Sequence, residues 1–155
     1  MVSDLALFLP DPEATDRLGM ALGATLRAGD VVLLSGDVGA GKTHLARALI
    51  TSLLEMPEDI PSPTFTLVQT YDTRSGVLWH ADLYRLADTS EIEELGLTEA
   101  FDTAMCLIEW PDRLGDVPAG ALMVHLQQQA DGRQATLSWD SGAWAERLDG
   151  INAHA

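Results

Sequence analysis

The chain is short of positive charge and of several residue types that specialised chemistries need. Its 155 residues include one lysine, Lys42, one cysteine, Cys106, and one asparagine, Asn152. Nine basic residues face 24 acidic ones, a formal net charge of -15. A field of that sign repels nucleic-acid phosphates and anionic membranes over most of the surface, which disfavours direct RNA or DNA binding unless a partner supplies the positive charge. A lone cysteine excludes an internal disulfide, and Cys106, inside Met105-Cys106-Leu107-Ile108, reads as a buried thiol. With scattered histidines it gives no zinc-type ligand spacing, so no metal cluster is expected. No apolar run reaches the ~20 residues of a membrane span, and no basic segment precedes a hydrophobic stretch at the amino terminus. A cytoplasmic location is the resulting expectation. The Asn-Lys-x-Asp segment with which GTPases read guanine has no place here, because the one lysine and the one asparagine lie far apart. Repeats and low-complexity linkers are absent too. At 46% hydrophobic residues, a chain of this length buries roughly 70% of its unfolded surface in one core. Residues 1–150 are expected to form a single domain, and 151–155 a flexible tail.

The single lysine stands in the most informative stretch. Val31-Val32-Leu33-Leu34-Ser35 is an apolar strand, and Gly36-Asp37-Val38-Gly39-Ala40-Gly41-Lys42-Thr43 fits the phosphate-loop pattern G-x-x-x-x-G-K-[ST]. An amphipathic helix follows, with Leu45, Leu49 and Leu53 on its buried stripe, running to about Leu54. Glycines let successive backbone N–H groups turn inward around phosphates, and the helix aims its unpaired N–H groups at the same anion. In this pattern Lys42 reaches the β- and γ-phosphates and the Thr43 hydroxyl binds Mg²⁺, which makes ATP with Mg²⁺ the expected ligand. Asp37, Val38, Gly39, Ala40, Gly41 and His44 complete the expected nucleotide contacts.

The rest of the chain reads as alternating strands and helices. Leu5–Leu9 is a strand, after which Asp11 as N-cap and Pro12 at the first helical position start a helix that stops near Arg27–Asp30. Pro61 and Pro63 stiffen a loop holding Ser62 and Thr64. A hairpin then folds about Asp72–Gly76 and exits through His80-Ala81-Asp82. Short helices are expected over Ser90–Leu95, capped by Thr89 or Ser90, and over Thr98–Phe101, capped by Thr98. Met105–Ile108 is a core strand, Ala121–Leu126 and Arg133–Trp139 a second hairpin, and Ser141–Leu148 a closing helix. The fold class is therefore α/β: a phosphate-loop NTPase-like mixed sheet flanked by helices, with antiparallel hairpins.

Open α/β sheets bind ligands at the carboxyl ends of their strands, and two acids sit there. Glu109 follows four apolar strand residues, the placement of a carboxylate that holds Mg²⁺ or its waters in phosphate-loop ATPases. Asp82 is placed to polarise the attacking water, and Thr64 to sense a γ-phosphate. The bland alternatives are a strand-end hydrogen-bonding acid for Glu109 and Asp82, and a turn threonine for Thr64. Trp110 has two readings of equal weight, a core anchor or a ligand or partner contact. His80 reads as a strand histidine packed beside Asp82 rather than a base. The residues leave three functions open: an ATPase, a non-catalytic ATP-sensing module and a small phosphotransferase. The last normally needs cationic lid groups, and few bases remain after Lys42.

Four segments taken together, Gly36–Thr43, Ser62-Pro63-Thr64-Phe65-Thr66-Leu67-Val68, His80-Ala81-Asp82-Leu83-Tyr84-Arg85-Leu86 and Glu109-Trp110-Pro111, resemble the bacterial TsaE (YjeE) family over about Leu9 to Trp139. The resemblance implies the ATPase component of tRNA threonylcarbamoyladenosine synthesis, working through a partner complex of the TsaB and TsaD type and touching tRNA only indirectly. It implies that Lys42 and Thr43 bind phosphate and Mg²⁺, that Glu109 is a magnesium ligand, and that Thr64, Asp82 and Trp110 bear on turnover or function. It also implies that the Leu9–Thr15 segment, with Asp11 and Thr15, lies beside the adenine. His44 stands where many members of the family have a second threonine.

Overall fold

In the computed structural model, residues 3–37, 41–56, 58–60, 67–84, 86, 90–140, 142–149 and 151 are described. Strand β1 (Ser3–Leu9) leads into helix α1 (Pro12–Thr25), whose start follows from its sequence. Asp11 is extended, Pro12 occupies the first turn, and the Asp11 carboxylate accepts the Ala14 N–H at 2.8 Å. The helix ends at Thr25, just short of the expected Arg27. Strand β2 (Val31–Gly36) and helix α2 (Lys42–Leu53) enclose the glycine loop. The hairpin β3 (Val68–Thr73) and β4 (Gly76–Asp82) turns at Arg74-Ser75.

Two short helices, α3 (Glu91–Glu94) and α4 (Leu97–Thr103), come next. Gly96, in the left-handed region at φ 83°, precedes α4, so Thr98 lies inside that helix and does not cap it. A side-chain cap is also missing at Ser90. Glycine serves at the α3–α4 junction because a left-handed residue has to fit between two helices. Strand β5 (Met105–Glu109), a 3₁₀ turn (Pro111–Leu114), the hairpin β6 (Leu122–Gln129) and β7 (Gly132–Trp139), and helix α5 (Gly142–Arg147) complete the chain.

The strands form one sheet in the order β1-β7-β6-β2-β5-β4-β3. Its centre is parallel: β2 pairs with β5 and with β6, and β4 pairs with β5. Its flanks are antiparallel, with β3 on β4 at one edge and β6, β7 and β1 at the other. This confirms the mixed sheet with antiparallel hairpins. Strand period two sends alternate residues into two cores. Val32, Leu34, Met105, Leu107 and Leu78 join α1, α2 and α5 on one face, while Val31, Leu33, Cys106, Ile108 and Ala81 join α3 and α4 on the other. Cys106 is buried, and that burial pushes its thiol pKa up to about 12. Ile151 is buried as well, packed with Trp144 and Leu148. The expected frayed tail therefore excludes Ile151, while 152–155 lie outside the described residues. No helix among the described residues is long and apolar enough to cross a membrane.

Helix α1 lies tight on α2 because two glycines face it. A methyl group at Gly19 would stand 2.8 Å from Ala48 Cβ and 3.0 Å from Leu49 N, and one at Gly23 would stand 2.7 Å from Ser52 Oγ. Backbone atoms at Gly19 cannot swing aside as a side chain can. Gly19→Ala is therefore expected to destabilise the fold: overpacking costs about 1–3 kcal/mol, against the ~1 kcal/mol that alanine returns through helix propensity. A lower urea midpoint at unchanged slope checks this, and a raised midpoint would show that the two helices can separate freely.

Candidate active site at the carboxyl ends of β2, β4 and β5

Sheet register assembles the site. Leu34 and Asp82 are the Cα partners of Glu109 on either side of β5, so the two acids end adjacent strands side by side. Strand alternation gives both the same face as Leu107, the face covered by α2. His80, two residues before Asp82, shares that face. All three polar residues are buried, with relative exposures of 0% for His80, 5% for Asp82 and 2% for Glu109.

Glu109 uses both carboxylate oxygens. Oε1 accepts the Thr43 hydroxyl at 2.8 Å, and Oε2 lies 2.7 Å from His80 Nε2. Thr43 and Glu109, expected at one magnesium ion, are in direct hydrogen-bond contact. His80, by contrast, hydrogen-bonds to Glu109, diagonally across the strands, where the sequence suggested packing beside Asp82. Its other ring nitrogen, Nδ1, is buried with no hydrogen-bond partner. Asp82 accepts the Tyr84 N–H at 3.0 Å, and its own N–H donates to Leu67 O at 2.9 Å. Leu67 has φ 67° and Trp110 φ 60°, the two left-handed non-glycine residues among those described. Each such backbone stores about 1–3 kcal/mol, and both border the acids.

Lys42 is buried at the start of α2, where its ammonium donates to Gly36 O at 2.6 Å and Asp37 O at 2.9 Å. It also stands 4.2 Å from the centroid of the Trp110 ring, which in turn packs on Tyr84 at 4.8 Å. Trp110 is partly buried, packed against the second core while facing the lysine. Burial lowers the Lys42 pKa from its ordinary value, while Glu109, then Asp82 and Asp37, pull it back up.

The other expected residues divide. Gly41 precedes α2 in the left-handed conformation. Val38, Gly39, Ala40 and Thr64 lie outside the described residues. The His44 imidazole lies 2.7 Å from Asp16 on the solvent side of α1 and α2. Thr15 is buried, and its hydroxyl has no hydrogen-bond partner. Asp11 lines a cleft of about 270 Å³ with Leu9, Pro10, Gln128, Gln129 and Arg133. Arg133, which no local motif marks, also borders the loop: a methyl group at Gly41 would stand 3.3 Å from its guanidinium. A cation beside a glycine loop is the signal, and it emerges only when β6 lies parallel to β2 and turns into β7 at the loop's end of the sheet.

The Thr43–Glu109 hydrogen bond predicts energetic coupling between the two side chains. Thr43→Ala, Glu109→Ala and the double variant, unfolded in urea, should give an interaction energy of at least about 0.5 kcal/mol. Additive losses would mean that the two side chains do not act together.

Residues 9–135 match the family model described as threonylcarbamoyl adenosine biosynthesis protein TsaE. A tRNA threonylcarbamoyladenosine biosynthesis protein TsaE from Haemophilus influenzae is 34% identical over 143 residues, covering 88% of this chain and 90% of that protein. The protein of the same description from Rickettsia felis is 44% identical over 106 residues, covering 68% of this chain and 62% of its own length. Among solved structures, Bacillus subtilis YdiB superimposes with a TM-score of 0.80 at 27% identity, over 99% of this chain and 97% of that one. With a family model spanning most of its length and relatives of one description on either side of 40% identity, the chain belongs to the TsaE family of tRNA threonylcarbamoyladenosine biosynthesis.

Proposed function

We propose that this protein is a Mg²⁺-dependent ATPase that supports threonylcarbamoyladenosine formation at position 37 of tRNAs reading codons that begin with A. It does so by docking on a TsaB–TsaD type complex that holds the tRNA. The observation that carries the reading is the convergence of Lys42, Thr43, Glu109 and Asp82 at one end of the sheet, on the lip of a glycine loop. The donor set fits the ion: a hydroxyl and a carboxylate 2.8 Å apart are hard oxygen ligands, few enough to leave room for phosphate oxygens and water. Mg²⁺ bound there would neutralise charge on the phosphates.

The chain's own groups do the rest. Lys42 exchanges the carbonyls of Gly36 and Asp37 for phosphate oxygens, a charge-assisted contact. Asp82 orients the attacking water. The cleft beside Asp11, with the unpartnered Thr15 hydroxyl on the same helix, suits the base and sugar, while Arg133 adds a cation next to Gly41. With a net charge of -15, the chain meets tRNA through a more basic partner rather than directly.

Two outcomes follow. Lys42→Ala should weaken ATP binding by about 1.5–3 kcal/mol and abolish phosphate release, whereas Asp82→Asn should keep nucleotide affinity and lose partner-stimulated hydrolysis. Calorimetry and phosphate release test both, and wild-type turnover in the Lys42 variant would sink the assignment. Reconstituted tRNA modification, with and without this chain and with a non-hydrolysable ATP analogue, separates turnover from ATP sensing alone. The isolated chain should show little tRNA affinity at physiological salt. Tight, specific binding in a direct titration would overturn the electrostatic argument.

A further inference from the structure

We infer that His80 is the positioning residue that leaves Glu109 a single oxygen for the ion, the one facing Thr43, and so tunes the site for Mg²⁺ over Ca²⁺. This rests on the Mg²⁺ role proposed for Thr43 and Glu109. The observations are local and independent of any bound ion. His80 is fully buried, its Nε2 lies 2.7 Å from Glu109 Oε2, and its Nδ1 has no partner.

A carboxylate oxygen needs a donor, so Nε2 carries the proton. Nδ1 keeps a bare lone pair, because an N–H there would be buried without an acceptor, and buried orphan N–H groups are the rarer defect. The imidazole is thereby fixed as the Nε2–H tautomer, held against Glu109 by that hydrogen bond. A histidine that takes a carboxylate's second oxygen does for an acid ligand what outer-shell carboxylates do for histidine ligands: it sets orientation.

The consequence for the metal follows from coordination chemistry. Ca²⁺ accepts carboxylates through both oxygens at 2.3–2.6 Å in flexible shells of six to eight ligands, while Mg²⁺ demands near-octahedral geometry at 2.0–2.1 Å and takes one oxygen from each acid. With Oε2 engaged by His80 and Oε1 facing Thr43, Glu109 offers a single oxygen. Without the His80 donor, the carboxylate can rotate and chelate through both.

The test compares wild type, His80→Gln and His80→Phe. Glutamine can place an amide N–H near the position of Nε2, whereas phenylalanine fills the space and donates nothing. Calorimetric titration of AMP-PNP at stepped Mg²⁺ or Ca²⁺ reads metal-dependent binding without turnover. Metal-free AMP-PNP binding and thermal melting report on folding. His80→Phe is expected to raise the Mg²⁺ midpoint by about 10–100-fold and to narrow the Mg²⁺-to-Ca²⁺ preference, and His80→Gln to restore most of both. A Mg²⁺ midpoint in His80→Phe within twofold of wild type overturns the inference, and so does a folded His80→Gln as defective as His80→Phe.

Nitrogen-15 spectra of the wild-type imidazole supply a readout that needs no variant: an Nε2–H tautomer is expected, and an Nδ1–H tautomer overturns the proposal. If wild type bound AMP-PNP equally with and without metal while showing the Nε2–H tautomer, the Mg²⁺ role of Thr43 and Glu109 would fail and the selectivity would fall with it. Wild-type metal dependence that the His80 variants leave unchanged would refute His80 alone.

Discussion

The structure turns on a buried carboxylate. Glu109 is withdrawn from water at the end of the central strand β5, and a carboxylate so placed is tolerable only when its oxygens are hydrogen-bonded. Thr43 supplies one donor from the first turn of α2, and His80 the other from β4. Helix α2 and strands β4 and β5 are thus brought to one point by electrostatic need as well as by apolar packing. The convergence that satisfies the acid also places Asp82 and Lys42 beside it.

Lys42 shows the same economy with opposite sign. Its ammonium is buried against desolvation and is held by two carbonyls of its own loop and by the Trp110 ring. The left-handed backbones of Leu67 and Trp110 flank this arrangement. Strain there is sustained by the surrounding packing, as Leu67 O receives the Asp82 N–H and the Trp110 N–H donates to Leu34 O at 3.3 Å.

Much of this was legible in the chain because it depends on near neighbours. The Asp11-Pro12 helix start, the phosphate-loop strand and helix, both hairpins and the apolar run Met105–Ile108 of β5 are local patterns of period, cap and turn, and each appears where the residues put it. The nearness of Thr43 and Glu109 had a different signal: both were expected at one ion, and the sheet brings them into hydrogen-bond contact. Where local reading failed, the competing term was also local but small. Thr98 is an ordinary helix N-cap residue, yet Gly96 alone can take the left-handed turn between α3 and α4. Ile151 sits near a polar chain end, but it finds a place against Trp144 and Leu148.

What the sequence determined by itself, then, is the set of elements, the glycine loop with its single lysine, and the acids at the strand ends, since each is written in residues adjacent along the chain. Beyond the two hairpins, tertiary structure alone decided which strands lie next to which. The order β1-β7-β6-β2-β5-β4-β3 turns His80 toward Glu109 instead of Asp82, and carries Arg133, some ninety residues downstream, up to Gly41. Those contacts depend on sheet register, where a shift of one residue sends every side chain to the opposite face, and that register is set by the packing of two cores at once, which no short stretch of sequence encodes.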